Sequence, residues 1–187
     1  MKRKGDWMQT YTGRQFWPID PRPEEIFIED IAHALSLQCR FGGHVRVFYS
    51  VGEHSLRVSD CFQEPRLALW GLLHDAAEAY LVDLPRPIKR FSKLGAEYRL
   101  VEQRVMAAVC ERFNLLPLEE PPGVKSADDY IMFWEQRDLM APPPVPWALQ
   151  PTEPLPRGIL TPMSPQNAEQ AFLKRFYELK SLTKATE

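Results

Sequence analysis

Trp70-Gly71-Leu72-Leu73-His74-Asp75-Ala76-Ala77-Glu78-Ala79-Tyr80 is an apolar stretch that carries three ionisable side chains. Its composition and length read as a helix belonging to a core. A histidine beside a carboxylate is expensive to bury unless something pairs the two. A divalent cation would pair them. Neighbouring residues on a helix point about 100° apart, so His74 and Asp75 do not share a face. Both can still reach an ion lying in the groove beside the helix. Glu78 follows Asp75 and His74 by three and four positions, which puts it on the same side.

Outward from this stretch the chain reads as helices. Pro65, at a favoured first-turn site, opens the helix that runs to Tyr80 or Leu81. Before it, Ser50 with Glu53 three positions on forms a capping-box pattern for a helix from Val51 to about Phe62. Ile28, Ile31, Ala32, Leu35 and Cys39 mark an earlier helix, which the glycines of Arg40-Phe41-Gly42-Gly43-His44 are expected to stop. Asp83-Leu84-Pro85-Arg86-Pro87 is read as a loop because of its two prolines. A long helix is predicted over 94–113, with Leu100, Val101, Val105, Ala108 and Val109 as its seam, and another over 124–140. Residues 141–162 hold eight prolines and predict an irregular strap. A last helix follows over 165–182, with Phe172, Phe176 and Leu179 on its apolar face, and Thr183 to Glu187 should fray. At the N-terminal end, Gly13-Arg14 between Gln9-Thr10-Tyr11-Thr12 and Gln15-Phe16-Trp17 predicts a small β-hairpin over 9–17. The sum is a single all-α domain over 1–187, about six helices with an N-terminal hairpin. Alternating parallel-strand patterns, and with them a doubly wound sheet, are absent.

Composition narrows the class of function. The 187 residues are 44% hydrophobic and 26% charged, with a formal net charge of -2, the proportions of a soluble globular protein. No basic excess advertises a polyanion, so a stable nucleic-acid complex is not expected. Cys39, Cys61 and Cys110 are odd in number and lack metal-ligand spacing, which fits free thiols in a reducing compartment. No apolar run follows the basic start, and none is long enough for a membrane span. The expected location is the cytoplasm.

His54 upstream and Asp128 downstream can complete a ligand set with His74 and Asp75. Two imidazoles and two carboxylates leave open positions on a metal that takes five or six ligands. They suit Mn, Fe, Co, Ni or Zn and are a poor structural thiolate site. The chain therefore reads as a metal-dependent hydrolase. The order His54 … His74-Asp75 … Asp128 resembles the HD-domain phosphohydrolase superfamily. Gly52-Glu53-His54-Ser55-Leu56-Arg57-Val58 is similar to the first histidine helix of the bacterial 5'-deoxynucleotidases. The run from Leu73 to Lys89 is similar to their HD helix and following loop, and Val124-Lys125-Ser126-Ala127-Asp128 to their final ligand motif. Thr10-Tyr11-Thr12-Gly13 and Cys39-Arg40-Phe41-Gly42-Gly43-His44 resemble a phage and prophage branch of small HD hydrolases, whose relatives include deoxynucleoside triphosphatases.

This resemblance implies His54, His74, Asp75 and Asp128 as ligands of one divalent transition metal. It implies Glu78 as the catalytic carboxylate and Asp83 as a residue near the sugar or the attacking water. Arg40, followed by Phe41, corresponds to a phosphate-binding arginine, and a guanidinium grips a phosphoryl group bidentately. His44 is expected to donate to phosphate or stack near the base. Lys89, in the same loop as Asp83, is expected to share the phosphate grip with Arg40, and Arg86 either meets a second or third phosphate or faces solvent. Glu135, seven positions after Asp128, could support the ligand helix. The implied substrate is a deoxynucleoside monophosphate or, alternatively, a triphosphate, and the implied assembly is a homo-oligomer. His33 is read as a surface or interface residue.

Overall fold

A computed structural model describes residues 3–184. The chain opens with strands β1 (Met8–Gln9) and β2 (Gln15–Phe16), antiparallel, with Met8 opposite Phe16 and Gln9 opposite Gln15. The strands are shorter than predicted because the chain already turns at Thr10. Thr10 N–H donates to Arg14 O at 2.9 Å, and Gly13 sits at φ +78°, where a side chain would be strained. So short a hairpin cannot stand alone. Phe16 inserts fully into the core and stacks on Tyr80 at 4.0 Å. The buried Asp30 carboxylate accepts from Thr12 N at 2.7 Å and from its hydroxyl at 3.1 Å.

The helices follow as α1 (Ile28–Leu37), α2 (Val51–Asp60), α3 (Pro65–Leu73), α4 (Glu78–Leu81), α5 (Arg86–Phe91), α6 (Lys93–Phe113), α7 (Pro122–Leu139) and α8 (Pro165–Lys184). Because α3 and α4 are two pieces of one predicted helix, the fold is all-α with about seven helices among the described residues. The additional one is α5, where a loop was expected. Pro87 is only its second residue, a position whose N–H has no helical partner to lose. Gly42 and Gly43 do not end α1. They lie beyond it in a 3₁₀ turn over Arg40–Gly43, where Phe41 also has positive φ. Thr183 and Lys184 belong to α8, and residues 185–187 of the expected tail lie outside the described residues.

The core gathers around α2, α3 and α8, with α8 packed on α1, α2 and α3. Ala168, Phe172, Phe176 and Leu179 are all buried along one face of α8. Burying each of the larger side chains is worth about 1.5–3 kcal/mol. On α6 the predicted seam is buried only from Val105 onward, and Leu100 is about half exposed. Residues 141–164 are irregular, as their prolines demand, but they are tied down. Arg137 donates to Pro156 O and Gly158 O, Asp138 accepts from Leu160 N, and Glu53 accepts from Met163 N. Among the described residues no helix is long and apolar enough to cross a membrane.

Candidate metal centre

Three helical segments converge on one point. Ser50 caps α2 by accepting from Glu53 N–H at 3.0 Å. The reciprocal bond of a capping box is not made, because the Glu53 carboxylate instead accepts from Arg57 and from Met163 N–H. One turn into α2, His54 is fully buried. The pair His74–Asp75 does not lie in a continuous helix. Ala76 N–H bonds Leu73 O at 3.0 Å and Glu78 N–H bonds Asp75 O at 2.9 Å, a three-residue spacing that marks a tightened turn between α3 and α4. His74 Nδ1 donates to Gly71 O at 2.8 Å, which leaves Nε2 for the site. Asp128 arrives from α7.

The donor atoms of His54, His74 and Asp128 lie within 4.8 Å of one another, a cluster able to hold a metal ion. The two Nε2 atoms are 3.3 Å apart. Asp128 Oδ1 is 3.1 Å from His54 Nε2 and 4.0 Å from His74 Nε2. Asp75 Oδ2 adds a fourth oxygen, 3.3 Å from His74 Nε2 and 3.8 Å from His54 Nε2. Two imidazole nitrogens directed at each other between carboxylates form a donor set that needs a cation at its centre, a proton or a metal.

The electrostatics agree with that need. Burial opposes a charge on His74, but Asp75 and Asp128 outweigh it and push its pKa up to about 9. Burial likewise opposes ionisation of Asp75 and Asp128, yet the histidines, with Lys125 beside Asp128, hold both carboxyls below the usual carboxylate range. Glu78 behaves oppositely. Burial, then the charges of Asp75 and Asp83, raise its pKa well above the ordinary value against the pull of Arg40 and Lys89. The pKa of Glu78 is thus shifted in the opposite direction from those of Asp75 and Asp128.

Of the other predicted residues, Arg40 is paired directly with a member of this centre. Arg40 is nearly buried, 3.1 Å from Glu135 and 3.6 Å from Asp75, and the Phe41 ring lies 5.4 Å from its guanidinium. Lys89 bonds Glu102 at 2.6 Å and reaches Asp83 at 3.4 Å. Asp83 itself is about half exposed in the strained loop after α4, where the β-branched Val82 takes φ +61°. Arg86 bonds Asp129, which also pairs with Lys125. His44 is exposed at the end of the Arg40–Gly43 turn. His33 is half-buried, stacked on Tyr11 at 3.5 Å and bonded to Glu169. Glu135, little weighted by sequence reasoning, is fully buried with Oε1 2.6 Å from His54 Nδ1. Its signal was the seven-residue spacing from Asp128, two turns along one helix face.

No family model matches the chain. It is similar to the uncharacterized protein YfdR of Escherichia coli (strain K12), 34% identical over 179 residues that cover 95% of this chain and 98% of that one. It is also similar to the uncharacterized protein RCAP_rcc00048 of Rhodobacter capsulatus, 39% identical over 139 residues, 68% of this chain and 69% of that one. The chain belongs to the family that these two proteins represent.

Proposed function

We propose that the chain is a metal-dependent phosphohydrolase of the HD-domain superfamily that acts on deoxynucleotides. In its simplest form it is a 5'-deoxynucleotidase that yields a deoxynucleoside and phosphate. The observation that carries this reading is the meeting of His54, His74 and Asp128, with a buried Glu78 that interacts electrostatically with Asp75 and Arg40. Asp75, at 3.3 Å from His74 Nε2, is the proposed fourth ligand. When bound, one divalent ion (Mn, Co, Fe, Ni or Zn) supplies Lewis-acid stabilisation to the phosphoryl oxygens.

The chain's own groups divide the remaining work. Arg40 holds the reacting phosphoryl group, and Lys89 adds positive charge in front of Glu78. Water oxygen attacks phosphorus, the bond from phosphorus to the 5'-oxygen breaks, and that oxygen leaves as the sugar hydroxyl. Glu78, whose pKa burial raises, donates a proton to the leaving oxygen and recovers one from the attacking water. Asp83 orients the sugar or the water, and Phe41 and His44 border the nucleoside. The second reading, a triphosphohydrolase that breaks the same ester and releases triphosphate, draws on Arg86 and Lys125. Both are accessible cations, paired on Asp129 next to the site. A cytoplasmic homo-oligomer is part of the same proposal.

The test is phosphate or triphosphate release from a panel of deoxynucleoside mono- and triphosphates with Mn²⁺ or Co²⁺. Glu78→Gln is expected to lower kcat by about 10²–10⁴ while still binding metal. Full activity in that variant, or no release from any substrate by the parent protein, overturns the mechanism.

A further inference from the structure

We infer that Glu135 is a positioning residue that couples the metal-binding histidine to the phosphate-gripping arginine through a single carboxylate. This rests on the metal-site reading above and deepens it. Glu135 is fully buried, and its two oxygens are divided between two partners. Oε1 lies 2.6 Å from His54 Nδ1 and Oε2 lies 3.1 Å from Arg40 Nη2. The Arg40 guanidinium is always charged, and its bond to Oε2 pairs it with an ionised carboxylate. An ionised carboxylate can only accept, so His54 Nδ1 must carry the proton in this bond. That leaves the Nε2 lone pair turned toward His74 and Asp128. A carboxylate behind a ligating imidazole fixes the tautomer, fixes the ring plane and raises ligand basicity.

The second oxygen does comparable work on Arg40. Its Nη2 is held by Glu135 and its Nη1 approaches Asp75 at 3.6 Å, while the buried Nε has no hydrogen-bond partner. An unsatisfied buried donor is rare and calls for an acceptor. The Arg40 side chain keeps 14% exposure, the part that a phosphoryl oxygen of the substrate can reach. Stability alone is a poor reason for this arrangement, because buried ion pairs are often no better than apolar packing. Helix α7 thus carries both a ligand, Asp128, and the group that aims another ligand from a residue 81 positions away.

A glutamine at this position cannot replace the carboxylate. Its amide presents one acceptor and one donor, so it must lose either the His54 bond or the Arg40 bond. The experiment compares Mn²⁺ binding by calorimetry for the full chain and for Glu135→Gln and Glu135→Asp, with thermal unfolding of each metal-free protein. Glu135→Gln is expected to weaken Mn²⁺ about 10–100-fold. It should also raise KM for the nucleotide more than it lowers kcat, and Glu135→Asp should recover part of the metal affinity. If the parent chain binds no Mn²⁺, the metal reading itself fails. If the parent binds and Glu135→Gln binds equally tightly with unchanged KM, the positioning role fails, even where the thermal midpoint has dropped. Should Glu135→Gln not fold, Glu135→Asp carries the same comparison, and an unchanged affinity there overturns the inference.

Discussion

Gly71→Ala probes how closely the two histidine-bearing segments must approach. Gly71 lies on α3 against α2. A Cβ there would sit 3.1 Å from Ser59 Cα, 3.1 Å from Ser59 N and 3.2 Å from Val58 C. Carbon contacts are comfortable at about 3.5–4.0 Å, so the helices must part by several tenths of an ångström. All three atoms are backbone, and no flexible side chain can yield instead. Overpacking of this kind costs about 1–3 kcal/mol. Alanine returns up to about 1 kcal/mol of helix propensity, so the net loss is about 0–2 kcal/mol. Gly123→Ala on α7 is the control. Its Cβ would meet only Phe62 Cε1 at 3.8 Å, an ordinary contact, so it gains propensity without a clash. The two variants should therefore differ by about 1–3 kcal/mol, or roughly 2–12 °C in Tm at 2–4 °C per kcal/mol for a chain of this size. Parting α2 from α3 also separates His54 from His74, whose Nε2 atoms are 3.3 Å apart. Mn²⁺ affinity should fall for Gly71→Ala and not for Gly123→Ala. Calorimetric unfolding and Mn²⁺ titration of both variants are the assay. Equal Tm values and equal affinities would refute the close-approach argument.

His74, raised from the ordinary 6.5 to about 9, binds its proton more tightly in the folded than in the unfolded metal-free chain. That contribution to stability is whole below pH 6.5 and is lost as pH rises through about 9. Metal must displace the same proton, so apparent Mn²⁺ affinity is expected to tighten about tenfold per pH unit from neutrality toward that pKa, with about one proton released. Titrations in buffers of different ionisation enthalpy measure this, and a pH-independent Kd without proton release contradicts it. Arg86→Ala, at an accessible ion pair with Asp129, should change stability by only about 0–1 kcal/mol. On a triphosphate its KM should rise about tenfold, the worth of one charge-assisted hydrogen bond, with the monophosphate KM unchanged. Equal effects on both substrates would remove Arg86 from any role at the phosphate tail.

The residues show where local signals sufficed. Ser50 capped α2, Gly13 turned the hairpin, and the apolar spacing of Phe172, Phe176 and Leu179 placed α8, because each depends on neighbours within a few positions. The residue types of the metal cluster were equally visible, since imidazole and carboxylate chemistry does not depend on the fold. Helix α5 was missed because Pro87 was read as a breaker, although a second helical position loses no hydrogen bond. The break of the helix at His74–Asp75 was missed because the apolar run from Trp70 to Tyr80 carries no local signal of the tightened turn. Leu100 follows the apolar period of α6 but remains about half exposed, because the core reaches only the later part of that helix.

The sequence alone thus determined most of the helices, the hairpin and the kinds of donor that can meet, because hydrogen bonding and side-chain period act over one or two turns. Tertiary structure alone decided that His54, His74 and Asp128 meet within 4.8 Å, and that Glu135 stands 2.6 Å behind His54. Those distances join residues 20 to 81 positions apart. No local periodicity can encode them, since they follow from the depth to which α2, α3 and α7 pack against one another.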